Sequence, residues 1–174
     1  MFAVHEMPVS RKPRLKAGSR ALGALLSALA LLFGLAGPAA AESQTVDGQS
    51  DIKRMFVSNG KNAVVAKVYG PGGKCSKVKE VAIHLTDRDG TDFTARGACH
   101  AENVWGKSLD LPTAGVSCPD FTLAYDATGK FWRFAVPRTC LAGLANGIKV
   151  DGWLVTWANA SPGLAGPTRR LSRG

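Results

Sequence analysis

The sequence predicts an all-β fold, a single-domain β-sandwich of about seven or eight antiparallel strands with two disulfides. After residue 50, short apolar segments alternate with turn signals rich in Gly, Asn and Asp, which is typical of sandwiches. No apolar 3.6-residue period persists for three turns there, so no amphipathic helix is predicted. The four cysteines, an even number, lie in this same part of the chain.

The first pair of strands is predicted on either side of the dipeptide Asn59-Gly60. This dipeptide is the strongest short hairpin signal, because both of its turn positions need a positive φ. The strands cover residues 51–58 and 62–69, and a Gly- and Pro-rich run ends the second of them. The pattern therefore indicates a tight antiparallel hairpin at the start of the domain.

A second hairpin is predicted from residues 80–86 and 91–96. In the first of these strands Val81, Ile83 and Leu85 alternate with polar or small side chains. A period of two is typical of a strand with one buried face. The Asp- and Gly-rich residues between the two segments favour a turn.

A third hairpin and a long final strand complete the predicted strands. Residues 121–125 and 131–136 form a third hairpin, and residues 147–157 form a long final strand. The loop between them is expected to hold one helical turn at residues 139–144. Each strand is short and bounded by turn residues, as a sandwich requires.

The first 41 residues have the organisation of a Sec-type secretory signal. Five basic residues between positions 11 and 20 precede an uncharged apolar run at residues 21–36, and Ala39 and Ala41 form a small-residue cleavage site. We predict cleavage after Ala41 and secretion of the mature chain. The alternative is an uncleaved anchor, but the run has 16 residues where a spanning helix needs about 20.

The secreted chain is predicted to have three parts: a flexible lead at residues 42–50, the sandwich at residues 51–160 and a flexible basic tail at residues 161–174. Removal of the signal reduces 22 basic and 13 acidic residues to 17 and 12, a net charge of +5. No basic stripe with interleaved aromatic residues is visible, so we predict no nucleic-acid partner. We also expect a monomer with no membrane span after processing.

The cysteines are predicted to form two disulfides, because an oxidising compartment favours bridges over thiols. Four cysteines allow three connectivities. The absence of a close C-x-x-C pair argues against zinc. The hairpins bring Cys75 beside Cys99 and Cys118 beside Cys140, within the ~7 Å Cα separation that a bridge needs, so this pairing is predicted.

No catalytic or cofactor-binding constellation is visible in the sequence. His84 and His100 are the only histidines after the signal, and no G-x-S-x-G or H-E-x-x-H motif occurs. The glutamates are few and the aspartates cluster at turns, which does not suggest a pair of catalytic carboxylates. We therefore predict no enzymatic activity and no cofactor.

One oxygen-rich loop is a candidate calcium site. Asp87, Asp89 and Asp92 form the pattern D-x-D-G-x-D. A complete calcium loop ends in a bidentate Glu at its twelfth position, where this chain has Ala98. The simpler interpretation, a hairpin turn built from Asp and Gly, is therefore favoured.

Trp153 and Trp157 form the candidate ligand surface. They project from one side of the last predicted strand, with Val155 between them. If exposed, they would make an aromatic platform for a sugar or a protein partner. Burial in the core is the favoured interpretation, because so apolar a strand is usually internal.

Three segments resemble small secreted actinobacterial proteins of uncharacterised function: D-I-K-R-M-F-V-S-N-G-K-N-A-V-V-A-K-V at residues 51–68, F-A-V-P-R-T-C-L at residues 134–141, and the strand near Trp153. This resemblance implies a β-sandwich and supplies no active residues. The chain is also similar to the secreted bacterial subtilisin-inhibitor family, through its size, its cysteine count, and the elements Cys118-Pro119 and Tyr125-Asp126. Its cysteine spacing differs, and a strand-like run replaces that family's exposed reactive loop.

Together these observations predict a secreted, non-enzymatic β-sandwich that binds an unknown extracellular or cell-wall partner. The alternative is a secreted inhibitor of extracellular proteases. An exposed Trp153–Trp157 platform would favour the first function. A protruding loop clamped by a disulfide would favour the second.

Overall fold

The computed structural model describes residues 41–100, 104–110, 118–142, 144, 147–159 and 161–174. These residues belong to one compact unit, Pro38–Gly174. The predicted signal at residues 1–41 therefore lies almost entirely outside the described residues. Within the described part of the chain the fold is all-β, as predicted.

Eleven strands and one short 3-10 helix, Arg138–Leu141, are formed by the described residues. The strands are β1 (Glu42–Asp47), β2 (Arg54–Asn59), β3 (Ala63–Tyr69), β4 (Val78–Thr86), β5 (Asp92–Cys99), β6 (Trp105–Asp110), β7 (Thr122–Asp126), β8 (Phe131–Pro137), β9 (Gly147–Thr156), β10 (Gly163–Ala165) and β11 (Leu171–Ser172). The three hairpins and the long last strand predicted from the sequence correspond to β2–β3, β4–β5, β7–β8 and β9.

The strands form two antiparallel sheets. Sheet I has the order β1-β2-β3-β8-β7, and sheet II has the order β10-β9-β4-β5-β6, with β11 also paired to β9. The sheets meet at one edge, where Gly48 bridges Ala165 and the N–H of Gln49 donates to the carbonyl of Leu164 at 2.7 Å. This junction makes the architecture nearly barrel-like. The prediction of a sandwich of seven or eight strands is therefore wrong in strand number and in the separation of the layers.

The chain ends account for much of this difference. Residues 42–50, expected as a flexible lead, contain β1, which pairs with β2 from Glu42↔Asn59 to Asp47↔Arg54. The tail expected at residues 161–174 contains β10 and β11, and Leu171 is fully buried. An edge strand needs only backbone hydrogen bonds and one packed face, so a polar or very short sequence can form one.

The core lies between the inner faces of the two sheets. The alternation predicted for β4 is confirmed, because Val81, Ile83 and Leu85 are all fully buried. On the facing sheet, β8 contributes Trp132 and Phe134, which are also buried. Further core side chains come from β2, β3, β5, β8 and β9 and from the residue just before β7: Met55, Val57, Val64, Val68, Phe93, Phe121, Val136, Ile148, Val150 and Leu154.

Both predicted disulfides are present. Cys75 is bonded to Cys99 and Cys118 to Cys140, each with a Cα separation of 5.5 Å. The first bridge ties the segment before β4 to the end of β5. The second ties the start of the β7 hairpin to the 3-10 helix that follows β8.

Candidate functional site

The outer face of β9 carries the two tryptophans that the sequence singled out. Along this strand the inward positions are taken by Val150, Gly152 and Leu154, and Trp153 is only half-buried. Trp157, just beyond the strand, is 60% exposed. The expectation that both indoles belong to the core is therefore wrong, because the alternate set of side chains fills it.

Hydrogen bonds hold both indoles in place against the sheet. The Trp157 Nε1–H donates to the carbonyl of Cys75 at 2.6 Å, and the Trp153 Nε1–H donates to Glu80 Oε1 at 3.0 Å. Lys79 Nζ lies 5.5 Å from the centroid of the Trp157 ring. Because Cys75 is itself fixed by a disulfide, the orientation of the Trp157 ring is set by covalently tethered backbone.

Neighbouring strands extend the apolar area around these rings. Leu164 of β10 is the cross-strand partner of Trp153 on one side and is half exposed. On the other side the partner of Trp153 is Ala82 of β4, which is fully buried. We call this area the tryptophan surface and define it by six residues: Lys79, Glu80, Trp153, Val155, Trp157 and Leu164. It combines fixed aromatic rings with a carboxylate and an ammonium group at its edge.

His84 lies on the same outer face and contacts two carboxylates. Its Nδ1 is 3.3 Å from Asp151 Oδ1, and its Nε2 is 3.4 Å from Asp92 Oδ1. A catalytic triad needs one ring nitrogen of the histidine to face a nucleophile. Both nitrogens face carboxylates here, so the arrangement cannot act as that base without rearranging. Thr94 of β5 is the cross-strand partner of His84. His100 comes six residues after Thr94, so it lies about 20 Å from His84 along the strand direction.

Two of the three aspartates in the candidate calcium loop, Asp87 and Asp92, are directed at different partners. Asp87 is buried, and its Oδ1 accepts the N–H groups of Asp89 and Thr91, both at 2.8 Å. This is the hydrogen bonding of an Asp-initiated turn. Asp92 instead contacts His84. In the described part of the chain no group of three or more His, Cys, Asp or Glu side chains is arranged to hold a metal ion.

A second notable surface, on the outer side of sheet I, was missed in the linear sequence. Arg54 lies 4.4 Å from the centroid of the Tyr69 ring, and Lys67 Nζ lies 5.0 Å from that of Phe131. We call this the cation–aromatic face and define it by six residues: Arg54, Phe56, Lys67, Tyr69, Phe131 and Arg133. Basic and aromatic side chains alternate across this face, although the linear sequence shows no such stripe. The sequence does contain a signal for this face: in each of three strands a cation and an aromatic residue lie two positions apart. The signal becomes visible only when the pairing of those three strands is known.

An open cleft of about 680 Å³ adjoins this face at Arg54 and Tyr69. Lys53 and Lys130 add two further cations to its rim, and Tyr125 forms part of its wall. Asp51 also lines the cleft, but its Oδ2 accepts hydrogen bonds from two other side chains, Thr156 Oγ1 and Asn159 Nδ2.

The two ends of the described chain meet at Glu42. The backbone N–H of Ser172 donates to its Oε2, and Arg169 Nη2 lies 2.6 Å from its Oε1. The Ser172 hydrogen bonds, aided by the Arg169 charge, lower the pKa of the Glu42 carboxyl. Nearby, burial lowers the pKa of the Arg138 guanidinium, and the charge of Arg173 adds to this.

Among the described residues no helix is both long and apolar enough to cross a bilayer. Comparison with known proteins supplies no relative: no family model, no curated protein and no solved structure matches the chain. The function must therefore be argued from the two surfaces themselves.

Proposed function

We propose that this is a secreted, non-enzymatic binding protein that holds a neutral glycan of the cell envelope on the tryptophan surface. The observation that supports this most directly is Trp157, which is 60% exposed although its ring is fixed by a hydrogen bond. A large apolar side chain left in solvent forgoes the stabilisation of burial. Fixing it there reduces the conformational entropy lost when a ligand binds.

The chemistry of the surface suits a glycan. An indole ring packs against the apolar C–H face of a pyranose, while hydroxyl groups need donors and acceptors at the rim. Lys79 can donate there, and Glu80 can accept. Trp153 and Trp157 are four positions apart, or roughly 13 Å in an extended strand, so the surface is longer than one sugar ring and suits an oligosaccharide.

Two observations support the non-enzymatic and secreted parts of the proposal. The ring nitrogens of His84 face carboxylates rather than a nucleophile, which gives no support for hydrolysis. The pairing of all four cysteines is compatible with an oxidising, extracellular location. The predicted signal at residues 1–41 is the route by which the chain would reach it.

Protease inhibition is the alternative. The segment that carries Cys75 folds into tight turns, in which the N–H of Lys74 donates to Gly72 and that of Lys77 to Lys74. An inhibitory loop would be extended and protruding. Residues 111–117, which precede the other disulfide, lie outside the described residues. Inhibition by that segment is therefore tested by a protease assay.

The test is binding of an N-acetylglucosamine tetramer and of purified cell-wall sacculi to the full chain, expressed with export and purified in its oxidised form. Trp157→Ala should weaken binding by more than about tenfold, as expected for a central aromatic contact. Val104→Ala, which removes another exposed apolar side chain, is the control and should bind normally.

Two results would contradict the proposal. Equal loss of binding in both variants would mean that Trp157 is not the contact. Absence of glycan binding together with inhibition of a subtilisin-type protease would establish the alternative function.

A further inference from the structure

The cation–aromatic face is organised in two rows that run across three strands. One row contains Arg54, Tyr69 and Phe131, and the next contains Phe56, Lys67 and Arg133. Adjacent strands are about 4.8 Å apart, so neighbours within a row are in contact range. Cations and aromatic rings therefore cover a continuous patch in the middle of sheet I.

Within this patch two like charges are cross-strand partners. Lys67 of β3 is paired with Arg133 of β8, and among the described residues neither has a carboxylate within 4.0 Å. Like charges directly opposite each other destabilise a sheet. An anion bound between the two side chains would relieve this repulsion and would explain why the pair is present.

Two acidic residues lie at the ends of the first row, and neither forms an ion pair with a cation of the patch. Asp47 is the cross-strand partner of Arg54, but the Arg54 guanidinium stacks on Tyr69 without an ion pair to Asp47. Asp126 is paired with Phe131, and its Oδ1 accepts the N–H of Gly129 at 2.8 Å. The patch therefore holds three cations that form no ion pair within 4.0 Å among the described residues, with one carboxylate at each end of the first row.

The adjoining cleft continues this charge along the sheet. Lys53 and Lys130 at its rim raise the number of cations to five, the others being Arg54, Lys67 and Arg133. Five cations spread over a face and a cleft match a ligand that carries several separated negative charges. A single small anion would engage only one or two of them.

We infer that the cation–aromatic face, continued by this cleft, binds an acidic polysaccharide through the carboxylates of its uronic acid units. The aromatic rings decide between a glycan and a nucleic acid. Single-stranded nucleic acids stack their bases on open aromatic rings. Here Arg54 covers Tyr69, Lys67 lies over Phe131, and these two rings are tilted by 52°. The rings hold Arg54 and Lys67 in place, and the cations contact the ligand.

The experiment uses the exported, oxidised full chain and measures its binding to polygalacturonate. The double variant Lys67→Gln/Arg133→Gln should weaken binding about tenfold, from the loss of two charged contacts at an exposed site. The control, Arg88→Gln/Lys149→Gln, lowers the net charge equally but away from this face, in the turn between β4 and β5 and in β9 of sheet II. It should bind almost as well as the wild type. Binding should weaken as salt is raised, because exposed charges are screened.

Three outcomes would overturn the inference. One is absence of polygalacturonate binding at low salt. Another is an equal effect of the two double variants, which would reveal attraction to net charge alone. The third is tighter binding of a single-stranded oligonucleotide than of the polyuronate, which would assign the face to nucleic acid. Trp157→Ala should leave polyuronate binding unchanged, so failure here is distinguishable from failure of the glycan site on sheet II.

Discussion

Replacing Trp157 by alanine should destabilise the protein less than the same replacement at Trp132. The two side chains are chemically identical, but Trp157 is 60% exposed while Trp132 is 3% exposed. Comparing the same substitution at two sites largely removes the contribution of the unfolded chain. The difference in unfolding free energy therefore reports burial.

The expected magnitudes follow from the exposed fractions. A fully buried aromatic side chain removes up to about 250 Å² from water. The 40% of Trp157 that is covered corresponds to about 100 Å², or about 2.5 kcal/mol at 25 cal/mol per Å². A compact unfolded state reduces this to about 2 kcal/mol. Trp132 packs against Trp105 at 4.6 Å and Tyr125 at 5.1 Å between ring centroids, and its loss should cost about 3–5 kcal/mol.

Urea unfolding of the oxidised protein, monitored by far-UV circular dichroism, measures both changes. If Trp132→Ala does not fold, Trp132→Phe provides a milder perturbation at the same site. A loss at Trp157 as large as that at Trp132 would refute the assignment of Trp157 to the surface. The tryptophan surface would then not be available to a ligand.

Two further predictions concern the edges of sheet I and its charged face. The lowered pKa of Glu42 means that its contribution to stability is complete above the unfolded pKa of about 4.3 and is lost as pH falls through the folded value. The chemical shift of the Ser172 amide should therefore titrate below about pH 4.3 in the wild type, and it should not titrate in Glu42→Gln. A wild-type midpoint above that pH would contradict the hydrogen bond from Ser172 to Glu42 as the cause of the lowered pKa. Arg133→Gln should leave stability unchanged or raise it by up to about 1 kcal/mol at low salt, because it removes the like-charge contact with Lys67. A clear loss in urea unfolding would mean that Arg133 has a stabilising partner.

The parts of the fold that were predictable from sequence are those with a local signal. Asn59-Gly60 indicated the β2–β3 hairpin but not its turn, because Asn59 is the last residue of β2 and neither residue has the positive φ that the sequence predicts. The alternation in β4 identified its buried face. The disulfides followed from the hairpins, because strands of similar length bring Cys75 to Cys99. In each case the information lies within about 25 residues, and no knowledge of the other sheet is needed.

The strands at the chain ends were not predictable, for a physical reason. β1 reads E-S-Q-T-V-D and is held by backbone pairing with β2, which leaves no apolar period in its own sequence. β10 and β11 have three and two residues, too few to show a period. Their positions depend on contacts with distant parts of the chain, such as the bond from Asn59 Nδ2 to the carbonyl of Leu171.

The candidate sites depend on which side of a strand faces the core. In β9 both alternate sets are apolar: Val150 and Leu154 on one side, Trp153 and Val155 on the other. Periodicity alone cannot choose between them, and the apolar character of the strand wrongly favours burial of both tryptophans. The cation–aromatic face was missed because its rows run across strands, and only the register reveals them.

The glycan site is tested most directly by a fluorescence titration of the exported, oxidised protein with an N-acetylglucosamine tetramer. A sugar stacked on Trp157 should change indole emission in a saturable way. Trp157→Phe keeps a smaller ring but removes the more exposed of the two surface fluorophores, so the emission change should fall clearly, to the part that comes from Trp153. The core fluorophore Trp132 remains in the variant as an internal reference. An identical emission change in wild type and Trp157→Phe, or none in the wild type at millimolar ligand, would contradict the proposed binding site.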